Sequence, residues 1–264
     1  MKLLLLLCLF FLPGHDILTL KFLFKIEVKA DTILADPLGN LFTISGKTIT
    51  RYNEKGLKEK NYSSNILGTI SYADVSDPFR ILLFYKDFNQ IVFLDNTLTE
   101  ISSPIQLDDL SIDQAEIACS SANGGFWVYN TISKQLVYFD RQLKKNHESV
   151  YLNSIMNTEQ KPIFLIEKSD YIFMYVPETG ILVFDKYGTY FKTLNLGKTE
   201  QFQVSDDKII YLQDHTIFKY DMKFLQTSSA QIPDSIRGVK SITLFQDKIF
   251  MQIEESINLY KIIE

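Results

Sequence analysis

At 264 residues, with 46% hydrophobic and 22% charged side chains, the chain suits one large all-β domain or two ordinary ones and lies far from disordered composition. Its net charge is −5 and it has no run of five basic residues, so no nucleic-acid partner is expected. Twenty Phe and 14 Tyr raise the aromatic share to 13%, a bias that strand-rich chains favour.

The chain opens MKLLLLLCLFFLPGHD: one lysine, an apolar run, then Pro13-Gly14. A bilayer span needs about 20 apolar residues. This run is shorter and has the layout of a secretory signal peptide. Residues 1–16 are therefore expected to be an export signal, and 17–264 a single domain without a membrane span. The expected address is outside the cytoplasm. No small-x-small cleavage site follows, so an uncleaved anchor stays open. Cys8 lacks the small residues that precede a lipidated cysteine. Cys119, in EIACSS, then stands alone, which excludes an internal disulfide and reads as a small buried hydrophobe.

Beyond the leader, one phrase recurs: TITRYN (48–53), QIVFLDN (90–96), QLVYFDR (135–141), ILVFDK (181–186), TIFKYD (216–221) and INLYKI (257–262). Each is an apolar-rich strand. Five run into Asn53, Asp95, Asp140, Asp185 and Asp221, and the sixth has Lys261 in that place. The steps are 42, 45, 45, 36 and 40 residues, the spacing of propeller blades. A second marker keeps phase with the first: the turns DPLGN, SDPFR, SANGG, EKSDY, SDDK and FQDK, each flanked by strand-like segments. Every unit reads as four antiparallel strands, and no helix-period pattern of useful length survives outside the leader.

The last unit, SITLFQDKIFMQIEESINLYKIIE, supplies three strands only. The segment LKFLFKIEV (20–28) precedes the first complete unit and is expected to supply the fourth, residues 22–28 lying beside residues 257–263. That closure leaves no open edge. The predicted fold is all-β: one six-bladed β-propeller closed by the N-terminal strand pairing into the last blade.

With these strands in view, the chain resembles the broad class of PQQ-, YVTN- and NHL-like propellers. The stretch SDPFRILLFYKDFNQIVFLDNTL (76–98) is similar to an exported β-propeller family of Bacteroidota. The resemblance rests on structural motifs. It implies a β-propeller fold and, as compartment, the periplasm or cell envelope of a Gram-negative bacterium, not a chemistry.

Function has to come from a site rather than from a fold. In a propeller the loops between second and third strands and the crossovers between blades build one face. Here these supply Lys86, Asp87 and Phe88, then Lys134, Glu178, Asp214, His215 and Glu254, and the crossover residues Asp108, Asp109 and Asp113. They are the candidate ligand- or partner-binding residues, against the plainer alternative of solvated turns. A sialidase-like site needs three arginines on one carboxylate; the chain has Arg51, Arg80, Arg141 and Arg237 but lacks the Ser-x-Asp-x-Gly-x-Thr-Trp turn signature. A serine-hydrolase triad lacks its G-x-S-x-G, and zinc lacks a ligand cluster. The three crossover aspartates lack the EF-hand glycine, and no pair of carboxylates is singled out for glycosidase work. His147, in KKNHES, is expected in a solvent-facing outer loop, and Trp127 between blades.

No catalytic residue, cofactor or metal is assigned. The expected function is a non-enzymatic envelope protein whose propeller is a protein-interaction platform, with an accessory role in an envelope or secretion assembly as a subtype. The alternative is a carbohydrate-active enzyme, or a propeller that takes a small molecule or glycan in a funnel on that face. An axis plugged by apolar side chains, with exposed aromatic groups on one face or rim, favours the platform.

Overall fold

The computed structural model describes residues 16–157, 159–197, 199 and 202–263. The proposed export signal, apart from Asp16, lies outside them. Six antiparallel sheets follow one another along the chain. Blade 1 is Thr32–Ala35, Leu41–Ser45, Thr48–Tyr52 and Lys58–Ser63; blade 2 is Tyr72–Asp74, Ile81–Tyr85, Gln90–Leu94 and Ile105–Gln106. Blade 3 is Ala115–Ser120, Phe126–Asn130, Gln135–Phe139 and Lys145–Glu148; blade 4 is Phe164–Lys168, Tyr171–Val176, Gly180–Asp185 and Tyr190–Leu194. Blade 5 is Phe202–Ser205, Lys208–Gln213, Thr216–Asp221 and Gln226–Gln231. Blade 6 is Val239–Phe245, Lys248–Ile253 and Ser256–Ile263, completed by Thr19–Glu27. The fold is a six-bladed β-propeller.

The closing strand runs antiparallel to its partner from Thr19 opposite Ile263 to Glu27 opposite Ser256, with a register shift between Phe22 and Phe24. The expected pairing of residues 22–28 with 257–263 is thus present. One strand was not anticipated. Asp16–Ile17 adds in parallel to the outer edge of blade 5, opposite Ala230 and Gln231. The Leu18 amide then donates to the Gln231 carbonyl at 3.0 Å, so the chain passes from blade 5 to blade 6 before closing the ring.

The recurrent Asp or Asn is a turn device. Its Oδ1 accepts two backbone N–H groups of the turn into the fourth strand: Lys55 and Leu57 on Asn53, Thr97 and Thr99 on Asp95, Gln142 and Lys144 on Asp140, Tyr187 and Thr189 on Asp185. The residue three places on has a positive φ: Gly56 at 76°, Leu98 at 59°, Leu143 at 62° and Gly188 at 84°. An Asx side chain that mimics the backbone lets five residues reverse the chain. Blade 6 has no such turn, because its fourth strand arrives from residues 19–27. Lys261 stands at that place and pairs with Asp247 at 3.1 Å.

Six hydrophobic clusters fill the six blade interfaces, so the core is a ring. Alternation along a strand sends successive side chains to opposite neighbours. Phe126 and Val128 pack toward blade 2, whereas Trp127 and Tyr129 pack toward blade 4. Both faces of a blade are buried, which is why strands such as ILLFY and FWVYN are buried at every position and almost wholly apolar. Outer strands such as Lys58–Ser63 are polar and mostly exposed, a composition that discourages edge-to-edge pairing. Cys119 is buried, and Trp127 is fully buried between blades 3 and 4.

Candidate functional site

The turns between second and third strands and the crossovers form one face, called the upper face below; the remaining turns form the lower face. On the upper face a cavity of about 1270 Å³ opens between blades 4, 5, 6 and 1. Lys29, Asp31, Glu178, Asp214, His215 and Lys240 bring charge and an imidazole to its wall. Asp214 and His215 form the two-residue hairpin of blade 5, both at positive φ (45° and 64°), the backbone of a type I′ turn. Deeper in, Gln252 donates from Nε2 to the Ala30 carbonyl at 2.6 Å and accepts from the Ser241 hydroxyl at 2.8 Å. Asp31 accepts the Gly46 amide at 2.8 Å, and Lys29 pairs with Glu255 at 3.5 Å. Both signs of charge on one concave wall suit a polar ligand held by hydrogen bonds.

Of the residues expected on this face, Glu178, Asp214 and His215 share the cavity. The rest lie elsewhere around the rim. Lys86, Asp87 and Phe88 form a 3-10 turn in blade 2, with Phe88 about half exposed. Lys86 pairs with Glu116 of blade 3, which also faces Lys161 at 3.6 Å. Asp108 accepts from Asn89 and from Gln106, both at 2.6 Å, which staples the crossover to blade 2; Asp109 and Asp113 are exposed. The Lys134 carbonyl receives the Leu152 amide at 2.9 Å. Glu254 is exposed beside the cavity, its carbonyl 3.5 Å from Lys240 Nζ. The funnel therefore gathers side chains from blades 4 to 6 and 1, and leaves those of blades 2 and 3 outside.

Glu116 was not singled out from sequence. It sits where the register of blade 3 shifts between Ala115 and Ile117, and its side chain is 9% exposed. Burial, with this carboxylate nearby, pushes the Tyr129 phenol up to about 12. The available signal was an acid inside an otherwise apolar first strand, and the same signal marks Asp74 and Glu167.

The axis is closed by aromatic rings. Tyr72 of blade 2 meets Phe164 of blade 4 edge-on at 6.0 Å, and Phe164 lies 4.3 Å from Phe202 of blade 5. Tyr175, on the wall of the upper cavity, meets Phe202 at 6.3 Å. The Tyr72 hydroxyl donates to the Leu165 carbonyl at 2.6 Å and accepts the Leu165 amide at 3.3 Å, bridging blades 2 and 4 past blade 3. Burial pushes this phenol well above its ordinary range.

On the lower rim, blades 4 and 5 carry exposed aromatic and apolar side chains: Tyr171, Tyr187, Phe191, Phe224 and Leu225. Lysines flank three of the rings, Lys186 at 5.7 Å from Tyr187, Lys192 at 5.4 Å from Phe191 and Lys223 at 5.6 Å from Phe224. His147 belongs to this region rather than to a solvent-facing loop. It lies in the fourth strand of blade 3, half-buried, stacked on Tyr138 at 5.7 Å and edge-on to Tyr187 at 5.5 Å. The polar sequence around it concealed this, since its ring partners lie on the neighbouring strand and on a turn of blade 4.

The arginines act between strands and blades. Arg80 lies 3.4 Å over the Phe93 ring and donates to the Gly125 carbonyl at 2.9 Å, and burial lowers it to about 10. Arg51 pairs with Glu59 at 2.8 Å. Among the described residues, no three His, Cys, Asp or Glu side chains are grouped to hold a metal ion, and no helix is long and apolar enough to cross a membrane.

No family model and no curated protein matches the chain in sequence. Solved structures do. The WD40 domain of Neurospora crassa Pan2 matches with a TM-score of 0.67 at 10% identity, over 94% of this chain and 98% of that one. Virginiamycin B lyase from Staphylococcus aureus, in a catalytically inactive H270A form with quinupristin, matches with a TM-score of 0.63 at 12% identity, over 93% and 99%. BBS1N, solved in complex with ARL6DN, matches with a TM-score of 0.56 at 11% identity, over 86% and 78%. At such identities the likeness is one of architecture: this chain shares the β-propeller fold of these structures.

Proposed function

We propose that the protein is a non-enzymatic, exported β-propeller of the cell envelope that presents its lower rim to a protein partner, akin to the exported propellers of Bacteroidota. The observation that carries this reading is the row of exposed rings on blades 4 and 5, where Tyr187, Phe191 and Phe224 are 56%, 62% and 65% exposed. Aromatic side chains are enriched at interfaces, and large ones exposed together mark an interaction surface. The aromatic plug supports the same reading, because it closes the axis where a through-channel would run. BBS1N offers a precedent of a propeller solved with a protein bound. The test is quantitative cross-linking and affinity purification from the native envelope, with wild type beside Tyr187→Ser/Phe191→Ser/Phe224→Ser. A stoichiometric partner recovered with the first and lost with the second is expected, at unchanged Tm. Recovery of both as lone monomers overturns the proposal. Export is tested separately, by fusing residues 1–30 to a reporter active only outside the cytoplasm.

A second reading rests on the upper cavity, which at about 1270 Å³ is large enough for a small molecule or glycan and gathers Glu178, Asp214 and His215. Glycan-array binding lost in His215→Ala/Glu178→Ala supports it. Turnover of the bound glycan would move the protein to the carbohydrate-active class.

A further inference from the structure

The lower end of the axis holds a second cavity, of about 400 Å³, lined by the first strands of blades 1, 2, 4, 5 and 6. That is near the small end for ligand pockets. Tyr72, Phe164 and Phe202, the residues of the plug, are part of its lining. On its wall stands Asp74, 4% exposed. Oδ1 accepts the Ser76 amide at 2.8 Å and Oδ2 the Ser120 amide at 2.9 Å. The Ser76 hydroxyl is a further hydrogen-bond partner of the carboxylate; with two acceptor sites on each oxygen, three donors leave one of the four open. Among the described residues no Lys, Arg or His forms an ion pair with Asp74.

Burial raises the Asp74 carboxyl, and the charge of Glu167 raises it further. A buried acid without a counter-ion is costly, and a cation that reaches it removes much of that cost. The charged lining is net acidic: three carboxylates, Asp36, Asp74 and Asp206, against one ammonium, that of Lys168. Asp36 is occupied by Leu38 and Asn40, and Asp206 is exposed at the mouth. Aromatic faces add attraction for a cation and area for an apolar body.

We propose that this lower axial cavity binds a small organic amine with an aromatic or aliphatic body, its ammonium on Asp74 and its body on the rings of Tyr72, Phe164 and Phe202. The site is distinct from the lower-rim surface and from the upper cavity, and depends on neither reading above.

Phenethylamine is the probe, with 2-phenylethanol as its neutral isostere, in calorimetric titrations of the full mature chain near neutral pH. Saturable binding of the amine is expected, with the alcohol at least about tenfold weaker. Ser205→Phe at the mouth blocks entry without touching the carboxylate and is expected to abolish binding. Asp74→Asn is expected to erase the preference for amine over alcohol. If its new amide, facing the Ser76 or Ser120 N–H, prevents folding, Ser205→Phe and the isostere comparison still decide. Three results each overturn the proposal: no saturable amine binding up to about 10 mM, equal binding of amine and alcohol, or binding unchanged in Ser205→Phe.

Discussion

The indole N–H of Trp127 in blade 3 donates to Glu167 Oε2 in blade 4 at 2.8 Å, while Glu167 Oε1 accepts the Ala122 amide at 3.1 Å. One carboxylate thus ties the second strand and the first turn of blade 3 to the axial strand of its neighbour. A hydrogen bond to a buried charge contributes about 1.5–3 kcal/mol, and leaving one partner unpaired costs about as much. Trp127→Phe is therefore expected to lower stability by about 2–4 kcal/mol in urea unfolding, adding lost volume to the lost donor. Glu167→Gln keeps the shape but sets an N–H against an N–H, and is expected to cost about 1–3 kcal/mol. An unchanged midpoint in both would show that this link carries no weight.

Stability on the acid side should depend on the turn aspartates. In Asp140 the Lys144 amide, first among several donors, holds the carboxyl below its usual range, and in Asp95 the Thr99 amide does the same. A folded-state pKa below the unfolded one gives stability that is complete above the ordinary aspartate range and is lost as pH falls through the depressed value. Wild type is expected to lose Tm progressively below about pH 4. Asp140→Ala is expected to have a lower Tm at neutral pH and a shallower acid limb. Parallel curves for the two proteins would contradict the assignment.

Leu143 occupies the left-handed position of its turn at φ 62°, where the equivalent turns of blades 1 and 4 use glycine. A side chain there costs about 1–2 kcal/mol, and Leu143 is too exposed to recover much of it by burial. Leu143→Gly is expected to raise stability by about 0.5–1 kcal/mol. Gly188→Leu should do the reverse, because a Cβ at Gly188 would lie 3.2 Å from the Trp127 ring as well as at φ 84°. Thermal melts of the two variants give the signs directly.

Ile26, on the closing strand, is 9% exposed and packs with Ile33, Leu41, Phe250 and Leu259 at the interface of blades 6 and 1. Ile26→Ala is expected to cost about 2–4 kcal/mol. If the ring unfolds as one unit, Trp127 fluorescence and far-UV circular dichroism will report the same reduced midpoint. A loss seen by only one probe would mean that the closing blade opens separately.

Much of the architecture was legible because its determinants are local. A five-residue Asx turn needs only its own backbone, so Asn53, Asp95, Asp140 and Asp185 announce their hairpins wherever they stand. The apolar strands between them state that both faces of each blade are covered. Counting strands in the final unit then leaves residues 20–28 as the missing fourth, which the structure forms as Thr19–Glu27.

Contacts between blades were not legible, because the residues that meet are far apart in the chain and obey no spacing rule. Tyr72 and Leu165 are 93 residues apart, and Gln252 reaches Ala30 across 222. Sequence alone placed Glu178, Asp214 and His215 on one face; only the closed ring decided that these three share a cavity while Lys86 is drawn to Glu116. Local hydrogen bonding writes each blade into its own stretch of chain, whereas the sites between blades depend on how the ring orients them against each other.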